Sequence, residues 1–414
     1  MTETISTSNS EHRFFSRRRL LMTVFCVVCV IVALVWYRGL PGLPEGVSRR
    51  DYKAAEQRWK RQNGRIPDSA TVLFALGQTF LAKGEPTTAV RCFDAVPVTH
   101  LELSREARLQ AATALLGLNR AREAEARFVK SITAATDESE SGRHRTATAR
   151  DWLVYLYSVQ LRFEERHDVL RRLHADGDQR ITDSKMYYFP SLLIWNSTRG
   201  EHRLNEFLAE DSSDVRLRIA QGRYLSGSGR IEEAKSVLSE TLRAVPGNLS
   251  CVAALLECFY ETADWEPADE ILAGISGDSD DEPWLLSLMR GEHANHRGRF
   301  EVAERCFRRV LAQDFSNVTA CMGLLRSLRE RGAESDEAEL LQERIRVLAV
   351  IRPRLQQIRE QNPEAVQWLA EQCRRIGFTE AAQTFDDHAA RMLRDVSHGF
   401  RAGTETEEDI PHAR

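Results

Sequence analysis

Two histidines, His293 and His296, are the residues whose types and spacing come nearest to a metal site. They stand three residues apart and directly follow Glu292. Zinc proteases use His-Glu-x-x-His, in which the ligands are four residues apart and the glutamate lies between them. The sequence offers no evident third ligand. We therefore predict no metal site, and keep a metal-dependent enzyme that uses His293 and His296 as an alternative function.

Other residues with catalytic or ligand chemistry also lack the spacing that such chemistry requires. The acidic run DSDDE, residues 278–282, does not have the spaced ligands of a calcium loop and is expected to cap a helix that begins at Pro283 or Trp284. Outside the apolar N-terminal segment the sequence has no Cys-x-x-Cys pair, phosphate-binding glycine loop or nucleophile elbow. Cys92 and Cys306 directly precede large residues of predicted helices, which favours packing over reactivity. We predict no catalytic residue, no cofactor and no small-molecule substrate.

The bulk composition indicates a folded, helical protein. Of 414 residues, 42% are hydrophobic and 29% are charged, which is enough apolar material for a core. The formal net charge of -4 gives no sign of the concentrated basic face that nucleic-acid binding needs, so no nucleic-acid partner is predicted. Only six of the 57 basic residues are lysine, a bias that indicates a GC-rich bacterial genome.

An uncharged apolar run over residues 20–37 predicts a membrane anchor. Its 18 residues would extend roughly 27 Å as a helix, enough to cross the hydrocarbon core of a bilayer. The run ends in Trp36 and Tyr37, side chains typical of the membrane interface. A cleaved signal peptide is the competing interpretation, but the following RGLPGLPEG has no small-x-small cleavage site. We therefore predict an uncleaved, single-pass transmembrane signal anchor.

Charges beside the anchor predict its orientation. Arg13, Arg17, Arg18 and Arg19 precede it, whereas only Arg38 lies within ten residues after it. Because positively charged flanks stay in the cytoplasm, the C-terminal domain is expected on the outer side of a bacterial inner membrane. A domain that faces the cytoplasm and acts as a docking or regulatory factor is the alternative.

The rest of the chain repeats an alanine about every 34 residues, each with a large residue four positions later. The spacings are 34 or 35 residues, apart from one gap of 110 between Ala124 and Ala234. The pairs are Ala55 and Trp59, Ala89 and Phe93, Ala124 and Phe128, Ala234 and Leu238, Ala268 and Leu272, and Ala303 and Phe307. A period of this length predicts a helical hairpin copied into a stack, because no copy can bury its apolar face alone.

Glycines recur at fixed distances before these alanines. Gly84 stands five residues before Ala89, where a first helix must end in a left-handed residue. Gly77 stands twelve residues before Ala89, inside that helix, where glycine costs about 1 kcal/mol relative to alanine. Such a cost predicts that a small residue meets a large one across the hairpin. The equivalent pairs elsewhere are Gly229 with Gly222 and Gly298 with Gly291.

This arrangement resembles the tetratricopeptide repeat (TPR), whose consensus has these glycines, this alanine, an aromatic residue and a closing proline. The clearest copies are residues 70–101, 215–246 and 284–315. The resemblance implies an all-α fold, a right-handed α-α superhelix of about nine units preceded by one transmembrane helix.

The expected organisation has five parts. They are a short basic cytoplasmic N-terminus at 1–19, the anchor at 20–37, a Pro/Gly linker at 38–47, the repeat array at 48–395 and a polar disordered tail at 396–414. Between Ala124 and Ala234, the stretches 152–173 and 186–208 are interpreted as degenerate units whose register stays open.

The resemblance also implies a concave groove formed by the first helices of successive repeats. The positions carried over from TPR proteins are Phe74, Gln78, Arg216, Arg223, Glu257, Tyr260, Glu292 and His296. Ordinary solvated helix faces are the alternative interpretation. The basic clamp that some TPR proteins use for a C-terminal carboxylate is absent, because Phe74, Leu109 and Ile219 occupy its places. We therefore predict a non-catalytic protein-interaction scaffold or assembly factor that binds an internal segment or a folded partner.

Overall fold

The computed structural model describes residues 69–133, 139–175, 180–193, 198–275, 282–332, 336–358 and 362–404, together with Gln57. Within these ranges the secondary structure is helical, without strands. None of the described helices is both long and apolar enough to cross a membrane. The predicted anchor at 20–37 and the linker at 38–47 lie outside the described residues.

The chain divides into two compact units, the first ending at Ala149 and the second beginning at Arg150. The helices of the first unit are α1 (Ala70–Ala82), α2 (Pro86–Asp94), α3 (Leu101–Gly117) and α4 (Ala121–Thr133). Helix α5 (Glu140–Val159) contains the boundary between the units. The second unit continues with α6 (Phe163–Ala175), α7 (Ile181–Tyr188), α8 (Thr198–Glu210), α9 (Val215–Gly227), α10 (Ile231–Ala244), α11 (Leu249–Glu261), α12 (Trp265–Ala273), α13 (Trp284–His296), α14 (Phe300–Gln313), α15 (Val318–Glu330), α16 (Asp336–Leu355), α17 (Pro363–Arg375) and α18 (Thr379–Thr404).

The first helix of each clear hairpin ends at a left-handed residue, as predicted. Gly84, Gly229 and Gly298 have φ values of 74°, 80° and 69°. At the first of these turns the Glu85 N–H donates to the carbonyl oxygen of Phe80 at 2.8 Å, which satisfies a carbonyl at the helix end. The same bond recurs after Gly229 and Gly298 at 2.9 and 2.8 Å. The turn glycines of the sequence analysis are therefore confirmed.

Inside the hairpins, small residues of the first helix meet large residues of the second. A methyl group added to Gly77 would lie 2.5 Å from the ring of Phe93, and one added to Gly291 would lie 2.7 Å from the ring of Phe307. Gly222 stands equally close to a leucine side chain of its own hairpin. These approaches are too close for any side chain, so the predicted contact of small with large residues is confirmed.

The structure resolves the register of the degenerate stretch between Ala124 and Ala234. Leu161 has a φ of 53°, and the following N–H of Arg162 donates to the carbonyl oxygen of Tyr157 at 2.8 Å, so Leu161 takes the place of a turn glycine. Five residues later, the fully buried Arg166 takes the place of the repeat alanine. Gly200 lies 34 residues after Arg166 and 34 before Ala234, and is also buried. The period of 34 residues therefore runs from Arg166 through Gly200 to Ala234, whereas Ala124 stands 42 residues before Arg166.

The last helix continues beyond the predicted end of the array. Helix α18 passes residue 395, the predicted end of the array, and ends at Thr404. Residues 405–414 lie outside the described residues.

Helix α7 connects parts of the second unit that are far apart in sequence. It packs against α6 and against α18. The hydroxyl of Tyr188 lies 2.9 Å from the Thr384 hydroxyl, and the ring of Phe189 stacks 6.1 Å from that of Phe385. The ammonium of Lys185 donates to the carbonyl oxygens of Leu355 and Ile358 at the end of α16, at 3.2 and 2.6 Å. One apolar cluster thus joins α5–α7 to α16–α18.

Candidate functional site

The first helices of the second unit repeat equivalent positions along one surface. Helix α9 contacts α11, α11 contacts α13, and α13 contacts α15, so these positions follow one another from helix to helix. We call this surface the first-helix face; its rows are Arg216, Ser250, Leu285 and Thr319; Ile219, Ala253, Leu288 and Met322; and Arg223, Glu257, Glu292 and Arg326. Each row has a spacing of 34 or 35 residues. Four of the predicted groove residues, Arg216, Arg223, Glu257 and Glu292, therefore belong to one repeated surface.

Two cavities lie along the first-helix face. The larger has a volume of about 240 Å³ and the smaller about 110 Å³. Phe163, Arg223, Trp284 and Leu285 border both. Phe163, at the start of α6, thus lies between the two cavities. Residues from outside the first helices therefore contribute to this site.

Three contacts attach the start of α6 to the first-helix face, and a fourth lies within α6 itself. The Arg223 guanidinium donates through Nη1 to the carbonyl oxygen of Leu161 at 2.9 Å and lies 5.2 Å from the ring centroid of Phe163. The carboxylate of Glu164 accepts the backbone N–H of Trp284 at 2.7 Å. Arg166 lies over the same Phe163 ring at 4.8 Å. The face of α9 and α13 is therefore occupied by a segment of the same chain.

Burial sets the electrostatics of the site. It raises the pKa of the Glu164 carboxyl to about 7, although the N–H of Trp284 opposes this rise. Burial likewise raises the pKa of Glu292 and of the completely buried Asp314. The Arg223 Nε lies 3.6 Å from a Glu257 carboxylate oxygen and has no hydrogen-bond partner. The site therefore combines apolar walls with charges that are only partly compensated.

The other predicted groove residues of the second unit form an aromatic stack. The ring of His296 lies 3.6 Å from that of Trp265, at an angle of 5°, and Tyr260 stacks on the same indole at 4.8 Å. Arg216, at the other end of the face, is ion-paired with Asp214 at 2.7 Å. Stacking and ion pairing hold these side chains in place.

The two residues predicted in the first unit have different environments. Phe74 is 8% exposed, and its ring packs 5.6 Å from that of Phe93 in the core of the unit. Gln78 is half-buried. The Phe74 ring therefore packs into the core of its own hairpin.

The two histidines of the alternative enzyme hypothesis have separate partners. His293 is buried; its Nε2 lies 2.7 Å from Asp269, and its Nδ1 faces Arg299 at 3.2 Å. His296 is exposed and stacks on Trp265. Among the residues that the structure describes, no group of three or more His, Cys, Asp or Glu side chains has metal-binding geometry.

The cysteines have packing environments. All six described cysteines are buried and none of them forms a disulfide; they are Cys92, Cys251, Cys258, Cys306, Cys321 and Cys373. Burial raises the pKa of the Cys92 thiol to about 12, far from the range of a reactive thiolate. The packing role predicted for Cys92 and Cys306 is confirmed.

Phe163, Glu164 and Trp284 were not predicted as site residues. Their contacts join positions about 120 residues apart, and no periodic pattern relates them. The spacing of five residues between Leu161 and Arg166 was the available signal, since it matches that of a turn glycine and its alanine. A large residue at each of these small positions obscured the match.

Comparison with known proteins yields fold-level similarity only. No protein-family profile matches the chain, and no curated protein matches it. Among solved structures, a TPR protein from Parabacteroides merdae is 13% identical, covers 63% of this chain and all of its own, and has a TM-score of 0.31. Yeast Tom70 is 11% identical over 86% of this chain and 95% of its own, with a TM-score of 0.30. A human IFIT1 dimer with m7Gppp-AAAA is 12% identical over 85% and 96%, with a TM-score of 0.35.

The type of repeat follows from the chain's own geometry. Helical hairpins recur at the TPR period, with left-handed turn residues and with glycines packed against large side chains. The fold is a TPR-type helical repeat.

Proposed function

We propose that this protein is a non-catalytic, membrane-anchored scaffold or assembly factor that binds a segment of a partner protein on the first-helix face. The observation that carries the proposal is the row-by-row repetition of that face across α9, α11, α13 and α15. A surface that presents equivalent positions at a regular interval suits an extended or helical partner segment.

Two features of the face support protein binding over chemistry. Met322, in the second row, is 50% exposed although it is apolar, and Thr319 beside it is exposed as well. The same face continues into the 240 Å³ cavity, whose walls combine leucines with Arg223 and Glu257. Pockets with apolar walls accept the anchor side chains of a protein segment.

We further propose that the protein resides in a bacterial inner membrane, anchored by residues 20–37, with its repeats on the outer side. The uncharged apolar run and the arginines that precede it support this location. Anchoring raises the effective concentration of the face for membrane-bound partners, so weak individual contacts suffice. Deleting residues 1–37 is expected to release the protein from the membrane fraction; continued sedimentation with membranes would contradict the anchor.

Site-specific photocrosslinking in cells tests the binding face. A photoreactive amino acid at Thr319 or Met322 is expected to capture a discrete protein partner. The matched control is Arg243, an exposed residue of the second helix α10. Equal capture from Arg243 would contradict the assignment of the face.

The cytoplasmic docking factor is the second candidate, because Arg49, Arg50 and Lys53 follow the anchor and weaken the charge asymmetry. Alkaline phosphatase fused to the C-terminus separates the two locations, since the enzyme is active only after export. An active fusion supports the outer location. An inactive fusion that is expressed at the same level supports the cytoplasmic candidate.

A further inference from the structure

We propose that residues 161–164 act as an intramolecular ligand of the first-helix face, and that the partner displaces them with an aromatic residue followed directly by glutamate or glutamine. This inference rests on the proposed function, because it names the chemistry of the segment that binds the same face. The chain's own segment shows what the face recognises: a backbone carbonyl, an aromatic ring and an acceptor side chain.

The aromatic position is defined by Phe163. Its side chain is 9% exposed and lies between the two cavities of the face. The guanidiniums of Arg166 and Arg223 lie 4.8 and 5.2 Å from its ring centroid. Two cations near one ring favour an aromatic side chain over an aliphatic one of similar size. The partner's aromatic residue is therefore expected to replace this ring beside Arg223.

The acceptor position is defined by the N-terminus of α13. The N–H of Trp284, the first residue of that helix, has no acceptor within the helix and donates to Glu164 at 2.7 Å. The positive end of the helix dipole favours an oxygen at this place. Glutamate and glutamine each bring an acceptor oxygen at the same distance from the backbone. A residue of either type, directly after the aromatic one, reproduces both contacts.

Residues 161–164 fit the first-helix face imperfectly, at a cost in free energy, so a partner segment can replace them. Leu161 has a φ of 53°, a left-handed conformation that is costly for a branched side chain. The Nε of Arg223 is buried and has no hydrogen-bond partner. Cavities of about 240 and 110 Å³ remain on the two sides of Phe163. A partner segment with a larger ring fills more of these cavities than Phe163 does.

A peptide competition on the full-length, detergent-solubilised protein tests this inference. The probe is a fluorescein-labelled peptide with the sequence of residues 160–167, QLRFEERH, and the readout is fluorescence anisotropy. The double variant Phe163→Ala/Glu164→Ala vacates the face, so it is expected to bind the peptide at least ten-fold more tightly than the wild type. Asp168→Ala is the matched control, because this carboxylate lies on α6 with its side chain exposed and bonded to Arg171. It is expected to bind like the wild type.

The same experiment defines the contrary outcomes. Equal binding to the wild type and the double variant, or equal binding of the peptide QLRAEERH, would overturn the inference. If circular dichroism shows that the double variant loses helix, Phe163→Leu takes its place and the same criteria apply. In-cell crosslinks from Met322 decide the proposed function separately. Crosslinks together with a failed peptide experiment would reject the intramolecular ligand while leaving the scaffold intact.

Discussion

At the scale of single residues, Phe307 packs against glycines of two helices. An added methyl group would lie 2.7 Å from its ring at Gly291, in α13, and 2.2 Å from it at Gly323, in α15. Neither helix could approach the ring so closely with a side chain at these positions. The glycines therefore set the distance between a hairpin and the next first helix.

Replacing Gly291 tests this packing. Gly291→Ala should lower the free energy of unfolding by about 1–2 kcal/mol, because the cost of overlap with Phe307 exceeds the gain in helix propensity. Gly117→Ala is the control, since Gly117 ends α3 with no atom within 4 Å of an added methyl group. It should leave stability unchanged or raise it by up to about 1 kcal/mol. Urea unfolding of both variants gives the comparison, and equal destabilisation would contradict it.

Glu164 gives the site a dependence on pH. Burial raises its pKa to about 7 in the folded protein, against an ordinary value of 4.5. Because the folded state then holds its proton more tightly than the unfolded state, this group lowers stability as the pH rises from about 4.5 to 7. Glu164→Gln does not titrate and keeps an acceptor for the Trp284 N–H. It should be more stable than the wild type at pH 8 by about 1–2 kcal/mol, with little difference at pH 4.5.

Thermal unfolding at both pH values measures this difference. Glu165→Gln is the control, because the carboxylate of Glu165 is next to Glu164 in sequence but is 45% exposed and is paired with Arg162 at 2.8 Å. A gain at pH 8 that appears equally in Glu165→Gln would show that the burial of Glu164 is not responsible.

At the scale of helices and turns, the sequence predicted what depends on short-range pattern. The turn at Gly84 and the contact of Gly77 with Phe93 follow from offsets within one hairpin. The start of α6 on the face of α9 and α13 does not, because Glu164 and Trp284, which are 120 residues apart, meet only when the second unit folds. Leu161 and Arg166 are large residues at positions where other copies of the repeat have small ones. The sequence pattern therefore did not reveal the register of this repeat unit. Groove positions such as Arg223 were predictable because the repeat itself copies them.

Turns that lack glycine test the conformational requirement directly. Ala263 is exposed and has a φ of 57°, which costs an alanine roughly 1 kcal/mol. Ala263→Gly should therefore raise stability by about 0.5 kcal/mol, after the greater flexibility of glycine in the unfolded chain is deducted. The same substitution at the exposed Ala126, within α4, should lower stability by about 1 kcal/mol. Chemical denaturation that shows the same sign at both positions would contradict this account.

At the scale of the second unit, stability depends on contacts between helices that are distant in sequence. Ser184 of α7 and His388 of α18 are 2.8 Å apart, and Tyr188 lies edge-to-face on Phe378 at 5.3 Å. These contacts hold α6 and α7 beside the C-terminal helices, and so hold Phe163 at the first-helix face. Loosening them is expected to loosen the proposed intramolecular ligand as well.

Acid should weaken the contact between α7 and α18 through protonation of His388. Burial, with a smaller contribution from Arg391, lowers the pKa of His388 to about 4, whereas Asp387 and Asp183 oppose the shift. In the unfolded chain the imidazole titrates near 6.5, so the unfolded state gains a proton first and the contribution of His388 to stability falls as the pH drops from about 6.5 to 4. His388→Gln retains a polar group beside Ser184 without titrating, so its fall should be shallower. Part of the loss of stability in acid should remain, because burial also lowers the pKa of His167 to about 4.

His202→Gln is the control, because its side chain is 78% exposed. Its stability should depend on pH as that of the wild type does. The urea concentrations at the midpoint of unfolding, measured at pH 7 and pH 4.5, test this prediction. An equal decrease of the midpoint in the wild type and both variants would show that His388 does not cause the sensitivity to acid.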